Sequence, residues 1–164
     1  MTGDLLKKNL LVFVGAGLGG AARYGAGLLI GHFAAGPFPW GTFLVNVTGC
    51  FAMGGLMYLF KDRGRLTPNH RLFLMVGILG GYTTFSSFGY ESDSLMRQGH
   101  PALEAAYAMA SAIFGLASVW AGRAATKAFE RGVLSMLRSR RQAAAQTTPA
   151  GAEGSLPLEE ELSE

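Results

Sequence analysis

Between Lys8 and Lys61 the only formally charged residue is Arg23. A water-soluble fold has to spread charge over its surface, and a stretch this long without it has no water-facing side to offer. Across the whole chain 15% of residues are charged, against about 25% in ordinary soluble domains, and most of those lie outside the apolar stretches. Lipid is therefore the solvent that the sequence implies. Four apolar spans follow, each close to the roughly 20 residues that cross a bilayer core: Leu10 to Phe33, Trp40 to Phe60, Leu72 to Met96 and Pro101 to Gly122. The joints are "AAGPFP", "KDRGRLTPNHR" and "RQGH". The first span has no small-residue cleavage site followed by soluble sequence and reads as a retained helix. The expected fold is an all-α integral membrane protein. Residues 1–129 form a four-helix transmembrane domain, and residues 130–164 form a basic, then acidic, disordered tail.

Four spans place both termini on one side, with the second joint. That side carries Lys7, Lys8, Lys61, Arg63, Arg65, Arg71 and the basic segment after Phe129, while the other carries only Arg97. The positive-inside rule puts the richer side in the cytoplasm. These bases cluster at span ends, where they meet anionic lipid rather than nucleic acid. Cys50 is the single cysteine, so an intrachain disulfide and a cysteine zinc cluster are excluded.

Gly15, Gly17 and Gly20 match the G-x-G-x-x-G spacing of a dinucleotide turn. That site also needs an acid about 20 residues on for the ribose. No Asp or Glu occurs between Asp4 and Asp62, and position 40 is a tryptophan. The small residues Gly15 and Gly19, and Gly41 and Gly49, read instead as close helix contacts.

Polar groups inside the spans are costly and need an account. Arg23 either snorkels to the interface from a tilted helix or meets a vestibule, a partner or an anion. Asn46 either glues helices together or offers an amide to a permeating anion. The segment "GILGGYTTFSSFGYES" combines paired glycines, β-branched threonines and several hydroxyls. That is poor material for one unbroken helix, and a break is expected around Gly80 to Thr84. A break frees carbonyl oxygens that suit a cation. Phe85 and Phe88 then share a face, and phenylalanine edges carry positive potential. Glu91 lies one turn further on, and Tyr107, Ser111 and Ser118 fall close to one face of the last span.

With "GGAARYG" in span one, "GTFLVNVTGC" in span two and "GGYTTFSSFGYES" in span three, residues 10 to 122 resemble the Fluc (CrcB-like) fluoride channels. The resemblance implies an antiparallel, dual-topology dimer in the bacterial cytoplasmic membrane, with a fluoride pathway along each subunit interface. It implies a structural sodium ion on the backbone carbonyls of Gly80 and Thr83. It maps the pathway onto Asn46, Phe85 and Phe88, continued by Ser87, Tyr107 and Ser111, with Arg23 in span one. The expected activity is passive export of fluoride, with no enzymatic step. The Lys/Arg asymmetry departs from the balance that dual insertion wants, which leaves a homodimer and a heterodimer with an oppositely oriented paralogue both open. The alternative is a small proton-coupled exporter, but such a carrier wants a carboxylate deep in span one, and none is there.

Overall fold

The structure is a computed structural model and describes residues 2–147. The described residues are helical apart from three short joints and one two-residue step. Helix α1 is Thr2–Phe33, and α2 is Trp40–Met57, continued by the more loosely wound, π-helical Tyr58–Asp62. The third span begins with the short α3, Pro68–His70. It continues as π-helical Arg71–Leu79 and α4, Gly80–Tyr82, and resumes as α5, Phe85–Arg97. Helix α6 is Pro101–Thr147. Four of these stretches are long and apolar enough to cross a membrane: Gly3–Phe33, Trp40–Asp62, Pro68–Arg97 and Pro101–Arg140. The protein is a multi-pass membrane protein.

Each joint turns on a glycine in the left-handed region, Gly36, Gly64 and Gly99, with φ of 102°, 60° and 78°. The following helices begin with standard devices. Thr67 caps α3, its hydroxyl accepting from the His70 N–H while its own N–H donates to His70 Nδ1 at 3.2 Å. Pro101 opens α6, where a missing N–H costs nothing.

In residues 1–128 the helices are drawn together by glycine. A Cβ on Gly15 would lie 2.7 Å from the Phe73 carbonyl oxygen and 2.9 Å from the Gly77 Cα. One on Gly19 would collide with the Ile78 carbonyl. Helix α1 thus packs backbone to backbone along the third span, as small residues permit in membranes. Gly17 and Gly20 meet nothing within 4 Å, so only part of the dinucleotide-like spacing does structural work. Helices α2 and α6 approach as closely, Gly54 against Val119 and Gly122 against Phe51.

Around Phe43, Leu95 and Tyr107 lies a small buried core, flanked by Phe38, Phe88 and Leu103. Phe38 stands edge-on to Tyr107, with ring centroids 5.4 Å apart. In residues 129–147 the chain is a single helical stretch. The basic segment expected to start the tail is therefore helical as far as Thr147, and the acidic end, residues 148–164, lies outside the described residues.

Candidate functional site

The polar residues of the spans converge on the step between α4 and α5. There Thr83 and Thr84 take extended backbone, with ψ of 156° and 123°. Extended backbone at membrane depth leaves peptide groups without helical partners, and these must be satisfied by protein. Asn46 on α2 does this with both ends of its amide. Its Nδ2 donates to the Thr84 carbonyl at 3.0 Å, and its Oδ1 accepts from the Thr84 N–H at 2.8 Å. In a continuous helix that N–H would bond to the Gly80 carbonyl. Thr84 is itself buried and caps α5, its hydroxyl accepting from the Ser87 N–H at 3.2 Å and lying 3.1 Å from Ser87 Oγ.

One turn beyond Ser87, Glu91 receives two hydroxyls. Thr42 donates to Oε1 at 2.7 Å and Tyr107 donates to Oε2 at 2.8 Å. A carboxylate held by two donors is a charge-assisted arrangement. Tyr107 has no exposed surface, and its ring lies 5.1 Å from that of Phe88. Phe88 in turn lies 5.5 Å from Phe85, the two planes tilted by 33°. Phe85 is 84% exposed, so the aromatic pair runs from the surface of the chain to the buried tyrosine. Ser111, one turn after Tyr107, is half-buried, and its hydroxyl oxygen is buried without a hydrogen-bond partner among the described residues.

Arg23 lines a cavity of about 470 Å³ together with Thr42, Thr84, Ser87 and Glu91. Its Nη1 lies 3.5 Å from the Thr83 carbonyl, the outer limit of a hydrogen bond. The guanidinium is thus turned into the bundle and not along the helix towards an interface. A second cavity, of about 240 Å³, is lined by Asn46, Cys50, Thr83, Thr84 and Phe85 among others.

Of the residues singled out in the sequence, Asn46, Ser87, Phe85, Phe88 and Tyr107 are brought together directly or through Thr84 and Glu91. Gly80 and Thr83 flank the same step. The Gly80 carbonyl is left without its helical donor, because the Thr84 N–H is taken by Asn46, and is the kind of oxygen that could hold a hard monovalent cation; the extended Thr83 carbonyl already has Arg23 Nη1 at 3.5 Å. Sequence reasoning missed Thr42 and left Glu91 without a partner. The signal was present as spacing: Thr42 and Asn46, Ser87 and Glu91, and Tyr107 and Ser111 are each four apart, so three helices each present a polar stripe.

Comparison with known proteins gives a consistent answer. A family model described as CrcB-like protein, Camphor Resistance (CrcB), matches residues 10–123. A protein of Methylobacterium nodulans named fluoride-specific ion channel FluC is 47% identical over 121 residues, covering 74% of this chain and 97% of the relative. Proteins of the same name from Rhodospirillum centenum and Solibacter usitatus are 44% and 45% identical, covering 73% and 70% of this chain and 94% of each relative. With the match reaching into all four apolar stretches and covering the polar step between α4 and α5, the chain belongs to the CrcB family.

Proposed function

We propose that this protein is a fluoride-selective ion channel that lets cytoplasmic fluoride leave down its electrochemical gradient. The observation that carries the reading is the aromatic pair Phe85–Phe88 running from the subunit surface onto the hydroxyls of Tyr107 and Thr42 around Glu91. Fluoride is small and tightly hydrated. A pore that passes it must replace water with donors, yet hold it weakly enough to let it go. Ring edges offer positive potential without a full charge. The hydroxyls of Ser87 and Ser111 offer O–H donors further along, while Tyr107, its own O–H given to Glu91, lines the path with its ring. Asn46 clamps the step open with its Oδ1 and one Nδ2–H, both on Thr84, and has its second Nδ2–H to offer to the anion. Arg23 adds positive potential beside the path from the shared cavity. No bond is made or broken, and no group in the site acts as nucleophile or general base. The weak acid HF crosses bilayers neutral and ionises in the near-neutral cytoplasm, so a passive exit for the anion is sufficient for protection.

The working unit is an antiparallel dimer in the bacterial cytoplasmic membrane, and the third span is functionally a broken helix. Supporting this, Gly80, Phe85 and Ser86 are exposed in the single subunit beside the extended step. Irregular backbone is not tolerated against lipid, so a second protein surface has to cover it. Two copies would bring together four carbonyls, from Gly80 and Thr83 of each, a neutral oxygen donor set that would coordinate a structural sodium ion where the subunits meet once Arg23 swings off Thr83. A homodimer requires the chain to insert both ways despite its Lys/Arg bias.

The test is fluoride efflux from liposomes containing this chain alone, followed with a fluoride electrode and with chloride as control. Rapid fluoride loss without chloride loss is expected. Absence of fluoride loss from folded protein, persisting when an oppositely oriented paralogue is added, would overturn the reading. Recovery on that addition would instead establish the heterodimer.

A further inference from the structure

The family match ends at residue 123, and the Methylobacterium relative is 97% covered by 121 aligned residues. That leaves it too short for a counterpart of the helical stretch from Phe129 to Thr147. This stretch is therefore a feature of the present chain beyond what the pathway requires. Taken by itself, it has two faces. Phe129, Val133, Met136 and Leu137 follow the i, i+4, i+7, i+8 spacing of one apolar stripe, with Leu134 at its margin. All five are exposed, Phe129 at 75% and Met136 at 57%. Arg131, Ser135, Arg138 and Ser139 occupy the opposite side, and Arg140 closes the apolar stripe at its far end.

A polar face built from arginine and serine against a face of Phe, Val, Met and Leu is the pattern of a helix that lies in a bilayer interface. The span before it needs only about 20 residues to cross the hydrocarbon. A helix entered at Pro101 has done so by about Trp120, and the bases that follow, Arg123 and Lys127, belong at the headgroups. The amphipathic stretch thus begins at the membrane surface on the cation-rich side. We propose that α6, one continuous helix from Pro101 to Thr147 in this structure, bends after Lys127 so that Phe129–Thr147 docks on the anionic headgroup surface of that leaflet, its apolar stripe in the acyl boundary and Arg131, Arg138 and Arg140 on lipid phosphates. Charge complementarity selects the occupant, since the helix carries exposed arginines and the inner leaflet carries negative lipid.

The test uses the full chain in nanodiscs of pure phosphatidylcholine and of phosphatidylcholine mixed with anionic phosphatidylglycerol. Limited trypsin digestion of the unaltered protein reads the accessibility of Arg131, Arg138 and Arg140. Three arginines near an anionic surface shift the docked-to-free ratio by about a hundredfold, so cleavage at these sites should slow strongly in the anionic discs alone. Spin labels at Leu137→Cys and Arg138→Cys, each in a Cys50→Ser background, give a second reading. The first should collide with oxygen in the bilayer and the second with a water-soluble nickel chelate. Equal cleavage in both lipids with equal water access at both labels would overturn the proposal. So would protection that is the same in both lipids and lost at high salt, which would assign the helix to the chain's own acidic end. Dipolar broadening between Leu137→Cys labels would overturn it in favour of a second copy.

Discussion

Replacing Asn46 by leucine removes the amide while keeping most of its bulk, so the effect is that of two hydrogen bonds and not of a cavity. Both partners are backbone groups of the buried Thr84, at 2.8 and 3.0 Å. Two buried groups left unpaired cost about 1–3 kcal/mol each, or about 2–6 kcal/mol in all, if the step stays open. The chain has a cheaper route. Once released, the Thr84 N–H can bond to the Gly80 carbonyl and wind the step into helix, as unconstrained backbone does. The loss of stability is then capped nearer the ~0.6 kcal/mol average that a polar contact contributes inside membranes, about 1 kcal/mol for two. Function does not share that escape. Winding the step re-aims Phe85, Ser87 and Phe88 together, since all three are carried by the first turn of α5. Asn46→Leu should therefore lower the thermal midpoint in detergent slightly and reduce fluoride efflux from liposomes more than tenfold. A variant that keeps fluoride flux within twofold of the parent would refute the clamp role. A variant that fails to fold would refute the capped cost.

Three further outcomes follow from the geometry. Gly19→Val pushes α1 off the Ile78 carbonyl and should cost at least the 1–3 kcal/mol of an overpacked core, read as loss of folded protein on size exclusion. Thr42→Val removes one of the two donors to Glu91 and should reduce fluoride flux while leaving the melting midpoint within a few degrees; unchanged flux would separate Glu91 from the pathway. The Arg123–Asp62 pair, 3.1 Å apart, is largely exposed on the arginine side, so Asp62→Ala should change stability by less than about 1 kcal/mol in equilibrium denaturation.

The sequence carries the transmembrane architecture because hydrocarbon imposes a simple rule: long apolar runs, few charges, and glycine where helices touch. The three joints were legible for a related reason, each having a glycine where the chain must turn. The fourth span reads shorter in sequence than the helix proves to be, because bilayer thickness sets where apolar residues stop and not where helical geometry stops. Within the site, the odd composition around Gly80 to Thr84 was visible. The partner of the step was not, because Asn46 is 38 residues away in the chain and its choice of Thr84 depends on how α2 packs. Glu91 was conspicuous for the same reason as any carboxylate in a span, but Tyr107 and Thr42 reach it from two other helices. The loose winding of Arg71–Leu79 had no local signal either. Its Gly77 sits against Gly15, so packing on α1 shares in setting its form.

The backbone contacts of Gly54 with Val119 and of Gly122 with Phe51 have a mechanical consequence. Two helices that touch through side chains can slide, because side chains change rotamer as ridges pass grooves. Two that touch through glycine cannot, since a shift of one turn would bring a larger residue onto a carbonyl. Helix α1 is seated on the third span in the same way at Gly15 and Gly19. A bundle keyed at both seams resists the rocking that an alternating-access carrier needs, and is suited to standing still while an ion moves through it.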